Sequence, residues 1–245
     1  MSGTLPNTAS QPNLFFTTRH GGLSTAPYNS LNLSYGVGDI SRTVSQNRER
    51  LKKDHSLSVI LSARQIHGDK IFIAGQPLQK DLEVDGYDAL MTDIRGIALL
   101  IQQADCQGIA LHDPVNSAIA CIHSGWMGSV KNIIAKTVAA MKKQYHTDPA
   151  DLHASISPSL GPCCAEFTNH SLELPPSFLA FQVKENYFDF WQISRMQLLA
   201  SGICEKNIDI SGLCSSCSQD HFSYRRACRE GDGRTGRCAT VIALY

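Results

Sequence analysis

Apolar and polar positions change period repeatedly along this chain, and the changes mark out short elements. Residues 15–19 predict a strand, with 20–24 as the loop leaving it. Residues 28–38, rich in Asn, Ser and Gly, predict irregular backbone. Over 41–53 the spacing is helical: Ser41 suits the N-cap, and Val44 and Leu51 share a face among basic residues. Residues 59–61 and 71–73 predict short strands flanking a polar loop at 65–68, and 88–92 and 97–101 predict two more. Residues 129–145 carry Val130, Ile133, Ile134, Val138 and Met141 at the spacing of one helix. A strand at 152–157, a helix at 189–201 stopped by Gly202, and a last strand at 240–244 complete the pattern. Strands crowd the first half and a hairpin lies among them, so the fold class is mixed α+β or α/β. No repeat, low-complexity linker or domain boundary is visible. Residues 1–13 are expected to be a frayed terminus and 14–245 a single domain.

Two apolar runs meet at Asp113-Pro114-Val115-Asn116, where Pro114 suits the second position of a type I turn. Folding the segment about Pro114–Val115 pairs Asp113 with Asn116 and His112 with Ser117. Carried back along the ladder, that register sets Cys106 opposite His123. Opposed residues have Cβ atoms about 4.5–5.5 Å apart, close enough for a thiolate and an imidazole to share one metal ion. His67, in Gln65-Ile66-His67-Gly68, is a candidate third ligand. Two His and one Cys would leave a tetrahedral zinc ion one open position, the catalytic form of such a site. The plainer reading stands beside it: Cys106 as a small buried hydrophobe and each His as a hydrogen-bonded structural group. A bulge in the hairpin would also undo the pairing.

The 245 residues carry 22 basic and 22 acidic side chains and are 42% hydrophobic. This balance argues against general nucleic-acid or membrane-surface binding. No apolar run approaches the roughly 18 residues of a membrane span. Nine cysteines follow a polar amino terminus without the order of a signal peptide, so a reducing, cytoplasmic setting with free thiols is expected.

Other constellations offer chemistry. Cys214-Ser215-Ser216-Cys217 has the knuckle spacing of a structural zinc site, with Cys228 and Cys238 as its possible remaining ligands. Cys163-Cys164, after Gly161-Pro162, reads either as a nucleophile at a helix start or as a tight structural turn. Arg225-Arg226 could bind an anion through forked hydrogen bonds. Residues 231–236 lack the ending of a phosphate loop and read as a hairpin tip.

Seven ordered motifs carry a resemblance: the run 17–24 with 28–33 after it, Gln65-Ile66-His67-Gly68, Ala104-Asp105-Cys106, His123-Ser124-Gly125-Trp126, Gly161-Pro162-Cys163-Cys164, Cys214-Ser215-Ser216-Cys217 and Phe222-Ser223-Tyr224-Arg225-Arg226. From about Phe15 to the carboxyl end the chain resembles the YfiH/FAMIN family, whose members are also labelled polyphenol oxidases, laccase-domain proteins or peptidoglycan-editing factors. The resemblance implies stacked β-sheets flanked by helices and a catalytic zinc on His67, Cys106 and His123. It implies phosphorolysis of adenosine, inosine, guanosine and methylthioadenosine, and hydrolytic deamination of adenosine. Purine nucleosides and phosphate would then be the partners. Within it, Arg19 is expected to orient phosphate, Asp105 to steer the site or relay a proton, and Cys163 to line the substrate.

The chain departs from the family pattern at three positions. Gln107-Gly108 replaces a usual Pro after the ligand Cys, Met127 a basic residue, and Ala165 a Tyr. Two other chemistries fit the same residues. Copper would be accepted by the same ligands, giving a polyphenol oxidase. A metal-free hydrolase with Cys106 as nucleophile and His123 as base would suit the editing of a peptidoglycan precursor.

Overall fold

The computed structural model describes residues 11–245. Thirteen strands are present among them: β1 (Asn13–Phe16), β2 (Val59–Arg64), β3 (Ile71–Ala74), β4 (Leu82–Asp85), β5 (Ala89–Thr92), β6 (Ile97–Gln103), β7 (Gln107–Asp113), β8 (Ala118–Ser124), β9 (His153–Ile156), β10 (Gln182–Lys184), β11 (Tyr187–Phe188), β12 (Ile208–Ile210) and β13 (Cys238–Ala243). The helices are α1 (Ser41–Asp54), α2 (Trp126–Val130), α3 (Ile133–Tyr145), α4 (His170–Glu173), α5 (Phe190–Ala200) and α6 (Tyr224–Glu230). One sheet has the order β1-β13-β6-β2-β4, a second β12-β9-β7-β8-β5-β3, and β10-β11 form a small ribbon. Both large sheets mix parallel and antiparallel pairs. This is the expected mixed α+β fold of stacked sheets.

The period of two along each strand decides which face goes where. In the six-stranded sheet Leu90, Ala110, Ile119 and Cys121 point toward the five-stranded sheet, where they pack on Leu61, Leu99, Ile101 and Ile242. Their neighbours Met91, Ile109, Leu111, Ala120 and Ile122 point the other way, onto Ile134, Val138 and Met141 of α3 and Leu198 of α5. The outer face of the five-stranded sheet carries Ile60, Leu100 and Val241 against Leu51 of α1. The layers run helix, sheet, sheet, helix. β6, β7 and β8 are covered on both faces and buried throughout, so their centres, residues 97–101, 109–111 and 118–122, read as continuous apolar runs.

Several local expectations change. The first strand starts at Asn13, the last residue of the segment expected to fray; residues 1–10 of that segment lie outside the described residues. Ser41 is the first helical residue, and the N-cap is Ile40 without a side-chain bond. The single helix expected over 129–145 is two, broken at Asn132. That residue adopts φ 53° and caps α3 with its side-chain oxygen on the Ala135 N–H at 3.3 Å. The segment 231–236 joins α6 to β13 and is not a hairpin tip.

The hairpin register is also corrected. Asp113 pairs with Ala118 and Gly108 with His123, two residues away from the expected pairing. The loop has four residues because Asp113 Oδ1 accepts from the N–H groups of Val115 and Asn116, both at 2.9 Å, and Ser117 turns back at φ 51°. An even shift keeps every side chain on its face, so the core pattern survives. Cys106 no longer stands opposite His123. Extending the observed ladder places it opposite Gly125.

Candidate active site

One end of the stacked sheets gathers the candidate residues. His67 sits in the loop between β2 and β3 at φ 58°, Cys106 just ahead of β7, and His123 next to the last residue of β8. Cys106 follows a sharp turn through Asp105, whose φ is 89°. The ligating atoms of His67, Cys106 and His123 lie within 4.8 Å of one another, and Cys106 Sγ is 3.8 Å from His67 Nε2. With the usual Zn–S and Zn–N bonds, tetrahedral coordination requires an S···N separation of about 3.6 Å. The donor set therefore fits one zinc ion. Gly125 makes the approach possible: a Cβ there would stand 2.7 Å from Cys106 Sγ and 3.2 Å from the His67 ring.

Asp88, at the threshold of β5, organises this cluster and was not singled out from sequence. It is fully buried. One carboxylate oxygen accepts from His123 Nδ1 at 2.8 Å and from the His67 backbone N–H at 2.9 Å. The other accepts from the Gly68 N–H at 2.7 Å and from the Ile66 N–H at 3.3 Å. With Nδ1 committed to Asp88, His123 turns Nε2 toward the cluster, the arrangement by which a carboxylate orients a metal-binding imidazole. Burial alone would raise the Asp88 carboxyl. The hydrogen bond and charge of His123 outweigh it and hold the group below the usual carboxylate range. An aspartate opening a strand buried on both faces is the one sequence signal that could have exposed it.

Without a metal the thiol and imidazole polarise each other. Burial opposes ionisation of Cys106, but the His123 charge and hydrogen bond, with His67 behind them, bring it down to about 6. Burial likewise opposes His123 protonation, yet the Cys106 thiolate and Asp88 raise it to about 9.

A cavity of about 780 Å³ opens over the cluster. Trp126, Phe167 and Phe190 form its apolar wall, and Gln103, Arg225 and Arg237 face it from the polar side. The Phe167 ring packs 6.5 Å from Trp126 and 5.0 Å from Phe190. Gln107, Met127 and Ala165, the three departures from the family pattern, all line it. Gln107 donates to Phe190 O at 2.9 Å and accepts from Ser194 Oγ.

The remaining expected site residues are placed differently. Arg19 is not on the cavity wall: Nε donates to Asn29 O at 2.8 Å and the guanidinium stacks 5.0 Å from the Phe222 ring centre. Asp105 touches the cavity, but its carboxylate is taken by Ser215 Oγ at 2.7 Å and the Arg225 N–H at 2.6 Å. Cys163 is exposed and heads no helix; it lies in a turn beside Cys164, Cys214 and Cys217. Cys228 and Cys238 are not part of that group. Arg226 spends its guanidinium on the carbonyls of Ser215, Ser216, Ser218 and His221.

Residues 13–245 match the family model described as multi-copper polyphenol oxidoreductase laccase. The chain belongs to that family. It is 31% identical to the purine nucleoside phosphorylase YlmD of Geobacillus stearothermophilus, over 92% of this chain and 88% of the relative. It is 33% identical to a purine nucleoside phosphorylase of Corynebacterium glutamicum, over 94% of this chain and 93% of that one. The crystal structure of YlmD from Geobacillus stearothermophilus superposes with a TM-score of 0.85 at 28% identity, covering 97% of this chain and 93% of that chain. The resemblance drawn from the seven motifs is thereby confirmed at the level of family and fold. No helix among the described residues is long and apolar enough to cross a membrane.

Proposed function

We propose that this family member is a zinc-dependent purine nucleoside phosphorylase of the cytoplasm that also deaminates adenosine, with His67, Cys106 and His123 as the metal ligands. The observation that carries the reading is the three-donor cluster, oriented by Asp88, at the floor of an aromatic-walled cavity. Its volume of about 780 Å³ suits a nucleoside with phosphate. The two phosphorylase-named relatives supply the substrate class.

A zinc ion held there supplies Lewis-acid chemistry. The chain's own residues do the rest. Trp126 and Phe167 offer aromatic faces to the purine. Arg237 and Arg225 face the cavity and take the phosphate role expected of Arg19. Arg237 already spends Nη1 on the carbonyls of Thr235 and Gly236, which holds its fork in place. A phosphate oxygen attacks the anomeric carbon, the C1′–N9 bond breaks, and the base leaves with the electron pair to be protonated. Adenosine then gives adenine and ribose 1-phosphate. In the deamination, water adds at C6 of the purine and ammonia leaves, giving inosine.

The test is adenosine with phosphate, followed chromatographically, on protein whose metal content is measured in parallel. Zinc-loaded protein should form adenine and ribose 1-phosphate, and His123→Ala should lose metal and both reactions together. Full activity of His123→Ala in metal-free buffer would remove the zinc mechanism. A second reading rests on the mutual polarisation of Cys106 and His123, which is also that of a thiolate nucleophile and its base. Undiminished activity after complete chelation would favour it. Copper in place of zinc, with oxidation of phenols, would favour the oxidase named in the family description.

A further inference from the structure

Four cysteines outside the cavity converge from two loops. Cys163 and Cys164 come from the turn after β9, and Cys214 and Cys217 from the loop after β12. Cys163 Sγ and Cys164 Sγ each lie 3.6 Å from Cys217 Sγ, and all four sulfurs fall within 4.8 Å of one another. We propose that Cys163, Cys164, Cys214 and Cys217 form a second, tetrathiolate zinc site that clips these loops together.

Four thiolates at about 2.3 Å from one zinc ion must stand about 3.8 Å apart along the edges of a tetrahedron. The two separations of 3.6 Å fall just under that value. Disulfides need sulfurs at about 2.05 Å, and all nine cysteines are free. A multi-iron cluster would spread its thiolates over different irons, whereas these sulfurs lie within 4.8 Å of one another, close enough to share one ion. Four protein ligands close the coordination sphere, so the site is structural rather than catalytic.

The surroundings are built for the convergence. The Gly161 N–H donates to Cys214 Sγ at 3.3 Å, a bond that strengthens when the sulfur is an ionised ligand. A Cβ on Gly161 would meet Cys214 Cβ at 3.0 Å and the Trp191 ring at 2.8 Å, so only glycine lets the two loops close. Ser159 bridges to Cys214, with Ser159 N–H on Leu213 O at 3.1 Å and Ser215 N–H on Ser159 O at 2.9 Å. Arg226, buried, donates to the carbonyls of Ser215, Ser216 and Ser218 and sets a fixed positive charge behind the knuckle. The clip reaches the cavity on both sides. Ala165 and Glu166 follow Cys164 on the cavity wall, and Ser215 holds Asp105 beside Cys106.

The test is metal stoichiometry by mass spectrometry on full-length protein purified without chelator, joined to thiol mapping. Wild type should carry two zinc ions per chain, Cys214→Ser/Cys217→Ser one, and His67→Ala/His123→Ala one, the last showing that the second site does not depend on the first. Should the cysteine variant fail to fold, the native protein still decides. In zinc-loaded protein, exposed Cys163 and Cys217 should alkylate at least about tenfold more slowly than exposed Cys228, and chelation should abolish the difference. One zinc per chain in both wild type and the cysteine variant would overturn the proposal. So would iron, a disulfide among the four, or alkylation of Cys163 and Cys217 as fast as Cys228 in zinc-loaded protein.

Discussion

Asp88→Asn isolates what the buried carboxylate does for the candidate metal centre. The substitution preserves shape but replaces one acceptor oxygen with an amide donor. Donors approach from both sides: His123 Nδ1 and the His67 N–H on one oxygen, the Gly68 N–H and the more distant Ile66 N–H on the other. The amide will turn its NH2 toward Gly68 and Ile66, because that orientation sacrifices one short bond and one long one rather than two short ones. The buried Gly68 N–H is then left unpaired, at a cost of about 1–3 kcal/mol, and the Ile66 N–H loses a longer, weaker bond. Since a domain is typically stable by about 5–15 kcal/mol, the variant stays folded. The larger effect falls on the metal. His123 keeps its orientation but loses the negative charge behind Nδ1, and loss of such a partner typically weakens metal affinity about 10–100-fold. Zinc affinity would be measured by competition with a chromophoric chelator, and stability by urea unfolding of the metal-free protein. Asp105→Asn is the control: it removes a carboxylate next to Cys106 in sequence, but its partners are Ser215 and the Arg225 N–H. It should change zinc affinity by less than about tenfold. Zinc affinity of Asp88→Asn within about twofold of wild type would refute the assigned role of Asp88.

Gly125→Ala places a methyl 2.7 Å from Cys106 Sγ; zinc affinity and phosphorolysis should both fall by at least about tenfold with an unchanged far-UV spectrum, and wild-type activity would show that the cluster does not need the close approach. Arg237→Lys keeps the charge but loses the fork, so KM for phosphate should rise about tenfold while KM for nucleoside hardly moves; equal changes in both would reject a phosphate contact. His112 is held below 6.5 by burial and by His153 beside it. The unfolded chain therefore takes up this proton first, and the associated stability is lost as pH falls below 6.5 through the lowered folded value. Urea midpoints at pH 7 and pH 5 should thus differ less in His112→Gln than in wild type, and an unchanged difference would clear His112.

Local pattern carried far for the core strands. Runs buried on both faces announced β6, β7 and β8, and the helical period found α1 and α5 nearly to their ends. The motifs carried the family. Local pattern missed short elements, among them strands whose partners lie far along the chain. β4 leaves little local signal because Leu82–Asp85 is short and only half-buried, and it is a strand through its pairing with β2. β12, similarly brief, exists by pairing with β9.

The candidate site divides the same way. The seven ordered motifs, with a hairpin register that the structure then shifted, picked His67, Cys106 and His123 as candidates from nine histidines and nine cysteines. The geometry came from elsewhere. The hairpin register turned on whether Asp113 caps a loop of two residues or four, which only its side-chain hydrogen bonds decide. Asp88 became the orienting carboxylate because β5 pairs with β8, which brings residues 35 apart within 2.8 Å. Cys214 and Cys217 found Cys163 and Cys164 rather than Cys228 and Cys238 because β12 lies beside β9 and delivers its following loop to the turn after that strand. Arg19 and Arg237 look alike in sequence, yet one stacks on Phe222 and the other faces the cavity. Sequence determined which chemistry was available, since composition and local period are properties of neighbours along the chain. Tertiary structure decided which groups act together, since hydrogen bonds and metal coordination reach only a few ångströms and sheet pairing alone brings distant residues that close.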